Sequence, residues 1–182
     1  MSKLTCLSGF NARRRSSGSG SGTIGIDSIL GSEAGIGNDR FCALRVTMPE
    51  NGTITKLTAY LNDNTAGGFS CKGMVFSHDG PGEGDAPNYP EDLLTSGSAV
   101  AIPDSFGWVD LPVTSEYVAD ATPIWIAFVC NGSIRFKYQL SAWADNAFNY
   151  NAENSYSTPT DANDSGNRYD NGGLSIYATY TI

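Results

Sequence analysis

The chain has 182 residues, of which 40% are hydrophobic and only 16% charged, with 19 acidic against 11 basic side chains and a formal net charge of -8. That length suits one domain with a sizeable core, and 21 glycines with 11% aromatic residues favour a turn-rich all-β chain over a helical one. An acidic domain excludes non-specific nucleic-acid binding, and no run of 18 apolar residues marks a membrane span.

The charge is unevenly divided. Residues 1–22 hold Lys3, Arg13, Arg14 and Arg15 and no acid, whereas residues 23–182 hold 7 basic against 19 acidic side chains, a net of -12. The segment ARRRSSGSGSG places a basic cluster before a Gly/Ser tract, a composition that behaves as flexible coil. Residues 1–22 are therefore read as an N-terminal arm and 23–182 as the folded domain. The arm is either an inert tail or a tether whose Arg13, Arg14 and Arg15 dock on an acidic partner. It lacks the apolar core of a secretory signal, which is the pattern expected of a protein kept in the cytoplasm until assembly or lysis, or of a chain whose signal has been removed.

In chain order, TIGIDSILG reads as a short edge segment. FCALRVTM alternates with period two, placing Cys42, Leu44, Val46 and Met48 inward and Phe41, Ala43, Arg45 and Thr47 outward. TITKLTAYLND repeats the pattern, with Leu57, Ala59 and Leu61 inward and Lys56, Thr58 and Tyr60 outward. The Asn51-Gly52 turn between these runs predicts a hairpin. FSCKGMVFS is a further strand, with Lys72 and Met74 opposite Cys71, Gly73 and Val75. HDGPGEGDAPNYPEDLL reads as irregular surface because its prolines cannot donate to a ladder, with Leu93 and Leu94 capping the core beneath.

Residues 107–132 organise the rest. A strand is entered through Trp108, a polar crossing follows, and TPIWIAFVC then carries apolar residues on both sides, as in a central strand covered on two faces. SIRFKYQL sets Ile134, Phe136 and Tyr138 opposite Arg135 and Lys137. Residues 141–172 read as a polar loop region. GGLSIYATYTI closes the chain with Leu174, Ile176, Ala178 and Tyr180 alternating with Ser175, Tyr177 and Thr179. The expected fold is an all-β antiparallel β-sandwich of jelly-roll type behind a flexible N-terminal arm.

Chemistry-bearing residues are sparse. Cys6, Cys42, Cys71 and Cys130 form no CxxC pair and the only histidine is His78, so a structural zinc site is not expected. The cysteines are either buried free thiols or include a Cys71–Cys130 disulfide, and spacing does not decide between them. His78 beside Ser77 and Asp79 reads as a solvated turn rather than a triad, because triads are defined by spatial roles. Asp161, Asn163, Ser165 and Gly166 open like a calcium loop, but Gly172 stands where the closing Glu belongs, so no metal or other cofactor is expected. Asn51, Asn131 and Asn163 begin N-x-[ST] sequons, two of them within Asn-Gly turns. Trp143, Phe148, Tyr150 and Tyr156 punctuate a polar stretch, which suits an interface, a core edge or a sugar-stacking site.

The succession GTITKLTAYL, KGMVFSHDG with a downstream PEDLL, GWVDLP, IWIAFV and LSIYATYT resembles the jelly-roll domains of phage tail and capsid surface proteins and of bacterial surface proteins, which are related to carbohydrate-binding modules. The resemblance covers residues from 35 onward and lies in pattern. It implies a non-enzymatic virion structural protein, displayed as a capsid decoration, head-fibre or tail domain and attached through its arm to other capsid or tail proteins. A homo-oligomer on the virion surface is expected, with no nucleic-acid or membrane partner. The rival expectation is a secreted or cell-surface carbohydrate-binding module that recognises a glycan through Trp143, Tyr150 and Tyr156.

Overall fold

The computed structural model describes residues 20–63, 65–78, 89–140, 147–162, 167–170 and 172–182, with the backbone alone for 147–153 and 167–170. The strands in chain order are β1 (Ser21–Gly25), β2 (Ser32–Ile36), β3 (Arg40–Thr47), β4 (Gly52–Asn62), β5 (Ser70–His78), β6 (Pro90–Ser96), β7 (Val100–Ala101), β8 (Gly107–Val118), β9 (Pro123–Cys130), β10 (Ile134–Gln139), β11 (Ala147–Glu153), β12 (Asn167–Asp170), β13 (Gly173–Leu174) and β14 (Ile176–Thr181). No helix occurs among the described residues, so none is long and apolar enough to cross a membrane.

Two antiparallel sheets pack face to face as a sandwich. In the first, β4 is central: β8 runs along one side and β14 along the other, with β1 outside β14. The far end of β4 meets β10, which also carries β2 and β13. The second sheet runs β12-β11-β3-β9-β5-β6, with β7 beside β5. Pro112 sits within β8 without breaking a ladder because β8 pairs only with β4 and is an edge strand.

Alternation fills the space between the sheets as expected. Cys42, Leu44 and Val46 of β3, with Met48 just beyond it, join Leu57, Ala59 and Leu61 of β4, Ile124, Ile126 and Phe128 of β9 and Ile176 and Ala178 of β14 in one buried cluster. At about 1.5–3 kcal/mol for each large apolar side chain buried, this cluster is the main source of stability. β9 is buried on both faces. Its other side, Trp125, Ala127 and Val129, joins Phe41, Ala43, Met74 and Phe76 in a second cluster on the outside of the second sheet, under Leu93, Tyr156 and Ala162. Phe41 and Ala43, read as outward, are thus fully buried.

The expected β3–β4 hairpin is not formed. β3 pairs with β9 and β11, and β4 pairs with β8, β10 and β14, so the turn at Asn51-Gly52 carries the chain from one sheet to the other. Two alternating strands satisfy their apolar faces equally well by facing each other across a core about 10 Å thick as by lying side by side. The β8–β9 connection crosses beside it. Met48 N–H donates to the Thr122 carbonyl, Ala121 N–H to the Met48 carbonyl, and Asp120 N–H to Asn51 Oδ1. The Asn131-Gly132 turn makes a crossing at the other end, where Asn131 Oδ1 accepts the Ser70 N–H at 2.7 Å.

Three further readings are corrected. The last five residues of the segment expected as irregular surface, 90–94, belong to strand β6, which pairs with β5 and has its proline at the first position; Leu94 on it is 37% exposed. The polar region 141–172 contains β11, paired with β3, and β12, paired with β11. Ser21 and Gly22 of the predicted arm belong to β1.

Candidate functional site

The first sheet keeps an outer face that no further layer covers among the described residues, and its outward side chains gather four aromatic rings. Trp108 of β8 stands directly opposite Tyr60 of β4, their ring centroids 5.2 Å apart. The indole reaches across β4 to Tyr177 of β14, at 5.5 Å, although Tyr177 is in register with Thr58 rather than with Trp108. Thr58 beneath it is only 2% exposed and donates its hydroxyl to Asp110 Oδ1 at 2.8 Å. Phe106, just before β8, lies nearly parallel to Tyr60, at 5.5 Å and 9°.

Charged groups frame the rings. Lys137 of β10 holds its ammonium 4.6 Å from the Phe106 ring centroid and bonds Glu33 at 2.9 Å; a cation over a ring face is a favourable contact. Arg135 pairs with the same Glu33, and Lys56 with Asp110 at 2.8 Å. The Arg135 and Lys137 hydrogen bonds hold the Glu33 carboxyl below its ordinary range, and Lys56 with Thr58 does the same for Asp110 against a smaller opposing effect of burial. Both carboxylates are charged at neutral pH. The result is an apolar strip with hydrogen-bonding groups on its rim.

Elsewhere the polar groups are committed to the fold. A hollow of about 430 Å³ is lined by Asn38, Asp39, Arg40, Asn154, Ser155, Thr160 and Asp161. Asp39, at a φ of 55°, accepts from Asn38 Nδ2 and from the Tyr156 N–H. Asn154 exchanges two hydrogen bonds with Thr160, and Asp161 Oδ1 accepts the Leu93 N–H. These contacts close loops on one another. No group of three or more His, Cys, Asp or Glu placed to hold a metal occurs among the described residues. His78 ends β5, and its Nδ1 accepts the Trp125 indole N–H at 3.3 Å. Ser77 Oγ accepts the Asp92 N–H.

Arg13, Arg14, Arg15 and Trp143 lie outside the described residues, as do Asn163, Ser165 and Gly166 of the calcium-like segment. Tyr150 lies on β11 opposite Cys42. Tyr156 packs over the second cluster with the Lys72 ammonium 4.8 Å from its ring centroid, and its carbonyl accepts from the same ammonium. That makes Tyr156 a core-edge residue on the second sheet, remote from the rings of the first. The aromatic platform was not assembled from sequence. Tyr60, Trp108 and Tyr177 were each visible as ring positions in strands, but only the register that sets β8 and β14 on either side of β4 brings them together.

Fold and site together define an all-β antiparallel sandwich with an aromatic outer face. No protein-family model matches the chain, and a search of curated proteins found no significant match.

Proposed function

We propose that this chain is a non-enzymatic structural protein of a phage virion: a sandwich of jelly-roll type displayed as a capsid decoration, head-fibre or tail domain, and fastened to the particle by its N-terminal arm. The observation that carries this reading is the polarity of the first sheet. The arm enters β1 at Ser21, which pairs with Thr181, itself beside Thr53 of β4. Tyr60 lies further along β4 by roughly 23 Å at 3.3 Å per residue. Ser21 joins the sheet at one end while the aromatic strip lies toward the other, a layout that suits a tethered, outward-facing module.

Charge and redox chemistry support the same reading. A segment carrying four bases and no acid, joined to a domain of net -12, is suited to an acidic protein surface. Fixing a backbone residue on a partner costs about 1–2 kcal/mol, so useful affinity for an attachment segment comes from many copies or a homo-oligomer. The Cys71–Cys130 disulfide is the kind of bond that persists on exteriors such as virion surfaces. Nucleic acid and membrane have no part in this scheme.

Co-sedimentation with particles lacking the protein tests it. The full chain is expected to bind, and replacing Arg13, Arg14 and Arg15 together by Glu is expected to abolish loading while the domain stays folded. Undiminished loading of the triple variant would remove the arm as the anchor.

A further inference from the structure

We propose that the strip formed by Phe106, Tyr60, Trp108 and Tyr177 is a binding site for an uncharged polysaccharide, whose sugar rings stack on the aromatic faces. This inference does not rest on the virion reading, since it concerns the opposite end of the first sheet and holds equally for any exposed setting.

The observations restrict the occupant in three ways. The first is shape: the rings follow one another from Phe106 to Tyr60, Trp108 and Tyr177 at centroid spacings of 5.5, 5.2 and 5.5 Å, a strip crossing three strands. Sugar rings repeat on the same scale, and the C–H faces of pyranoses are apolar while their edges carry hydroxyls. The strip is stepped rather than flat: Phe106 and Tyr60 lie nearly parallel, whereas Trp108 is turned by 63° from Tyr60 and by 61° from Tyr177. Trp108, the most exposed of the four, supplies the main stacking face, with the other rings beside it for neighbouring sugars of a linear chain, and the rim of Asp110, Lys56, Glu33 and Lys137 supplies hydrogen-bond acceptors and donors for the hydroxyls.

The second is charge. Around the strip stand three cations, Lys56, Arg135 and Lys137, and two carboxylates, Glu33 and Asp110, all joined in ion pairs. With each cation already holding a carboxylate and a balance of only one positive charge, this face offers little to a polyanion, and it is spared the excess acid of a domain with 19 acidic against 7 basic residues.

The third is area. Trp108 is 38% exposed and the other three rings less so. At 150–250 Å² per full ring side chain, the strip presents on the order of 250 Å², well short of the roughly 800 Å² that each partner contributes to a stable protein interface. It is enough to cover a few sugar units.

The test is native affinity electrophoresis of the full chain in gels containing soluble neutral polysaccharides (β-glucan, xylan, galactomannan, dextran), with alginate and polygalacturonate as anionic counterparts. Retardation by at least one neutral polymer is expected, weakened about tenfold or more in Trp108→Ala and largely retained in Trp108→Phe. Tyr177→Ala serves as the second variant if Trp108→Ala loses its cooperative melt. Migration unaffected by every neutral polymer, retardation by the anionic polymers alone, or retardation that survives both alanine variants would overturn the proposal. So would concentration-dependent self-association abolished by Trp108→Ala, which would make the strip a contact between copies.

Discussion

Cys71 and Cys130 stand directly opposite each other on the neighbouring strands β5 and β9, with Cα atoms 4.3 Å apart, and are joined by a disulfide. The separation is that of a narrow antiparallel pair, where side chains come closest. Both residues are fully buried between the sheets. Of the two readings open from sequence, the bonded one holds for this pair, while Cys42 is buried and takes no part in that bond.

The bond closes a loop between residues 59 apart in sequence, for which chain entropy gives roughly 4 kcal/mol, within the usual range of about 2–5. Urea unfolding of Cys71→Ser/Cys130→Ser is expected to show a loss of that order against the oxidised protein. Equal midpoints for the two would contradict the cross-link.

Acid is expected to destabilise the fold, and Asp63 is the clearest cause. This residue is 1% exposed; burial opposes its charge, but the N–H groups of Phe69, Thr65 and Gly67 and the Thr65 hydroxyl outweigh burial and hold its carboxyl below the ordinary range. Glu33 and Asp110 are shifted the same way by their ion-pair partners. A group depressed in the folded state adds stability above its unfolded value, about 4 for carboxylates, and loses it as pH falls through the folded value. Denaturation curves should therefore show stability falling steadily below about pH 4. Asp63→Asn should be less stable than the parent at neutral pH, and the gap should narrow on acidification. A constant gap would remove Asp63 from the explanation.

Backbone fit predicts two opposite effects of small substitutions. A Cβ on Gly97 would lie 1.6 Å from the Pro112 carbonyl oxygen, where β6 passes β8, whereas one on Gly37 meets nothing within 4 Å. Gly97→Ala should cost about 2 kcal/mol or more, and Gly37→Ala should serve as a mild control. Ala121, in the β8–β9 crossing, has a φ of 57°, so Ala121→Gly should stabilise by about 1 kcal/mol. Thermal melts of the three variants check the order; a Gly97→Ala protein as stable as the parent would contradict the β6–β8 approach.

Which side chains enter the core between the sheets is legible, because that core is filled with a period of two; the second cluster, which buries Phe41 and Ala43 on the other side, is not. Leu57, Ala59 and Leu61 fell inward and Tyr60 outward as read, and the doubly apolar run 124–130 became the central β9. Partners were not legible. The Asn51-Gly52 turn serves a crossing between sheets as well as a hairpin, since side-chain alternation carries no record of the neighbouring strand. β11 and β12 carry no strand signal in the sequence because Asn, Asp and Tyr supply no apolar alternation there; β11 is held by its ladder to β3. The candidate site suffered most from this. Composition singles out rings set among polar residues, Trp143, Tyr150 and Tyr156, while the platform arises from outward positions on strands distant in sequence.

The three tryptophans provide the most direct test of where this protein binds. Trp108 lies on the platform, Trp125 is fully buried with its indole N–H on His78, and Trp143 is the position favoured by sequence. In a two-dimensional nitrogen–proton NMR titration with the neutral polysaccharide that retards the chain most, the Trp108 indole signal is expected to move in a saturable way while that of Trp125 stays in place. A shift confined to Trp143, with Trp108 unmoved, would contradict the assignment of the binding face to the first sheet.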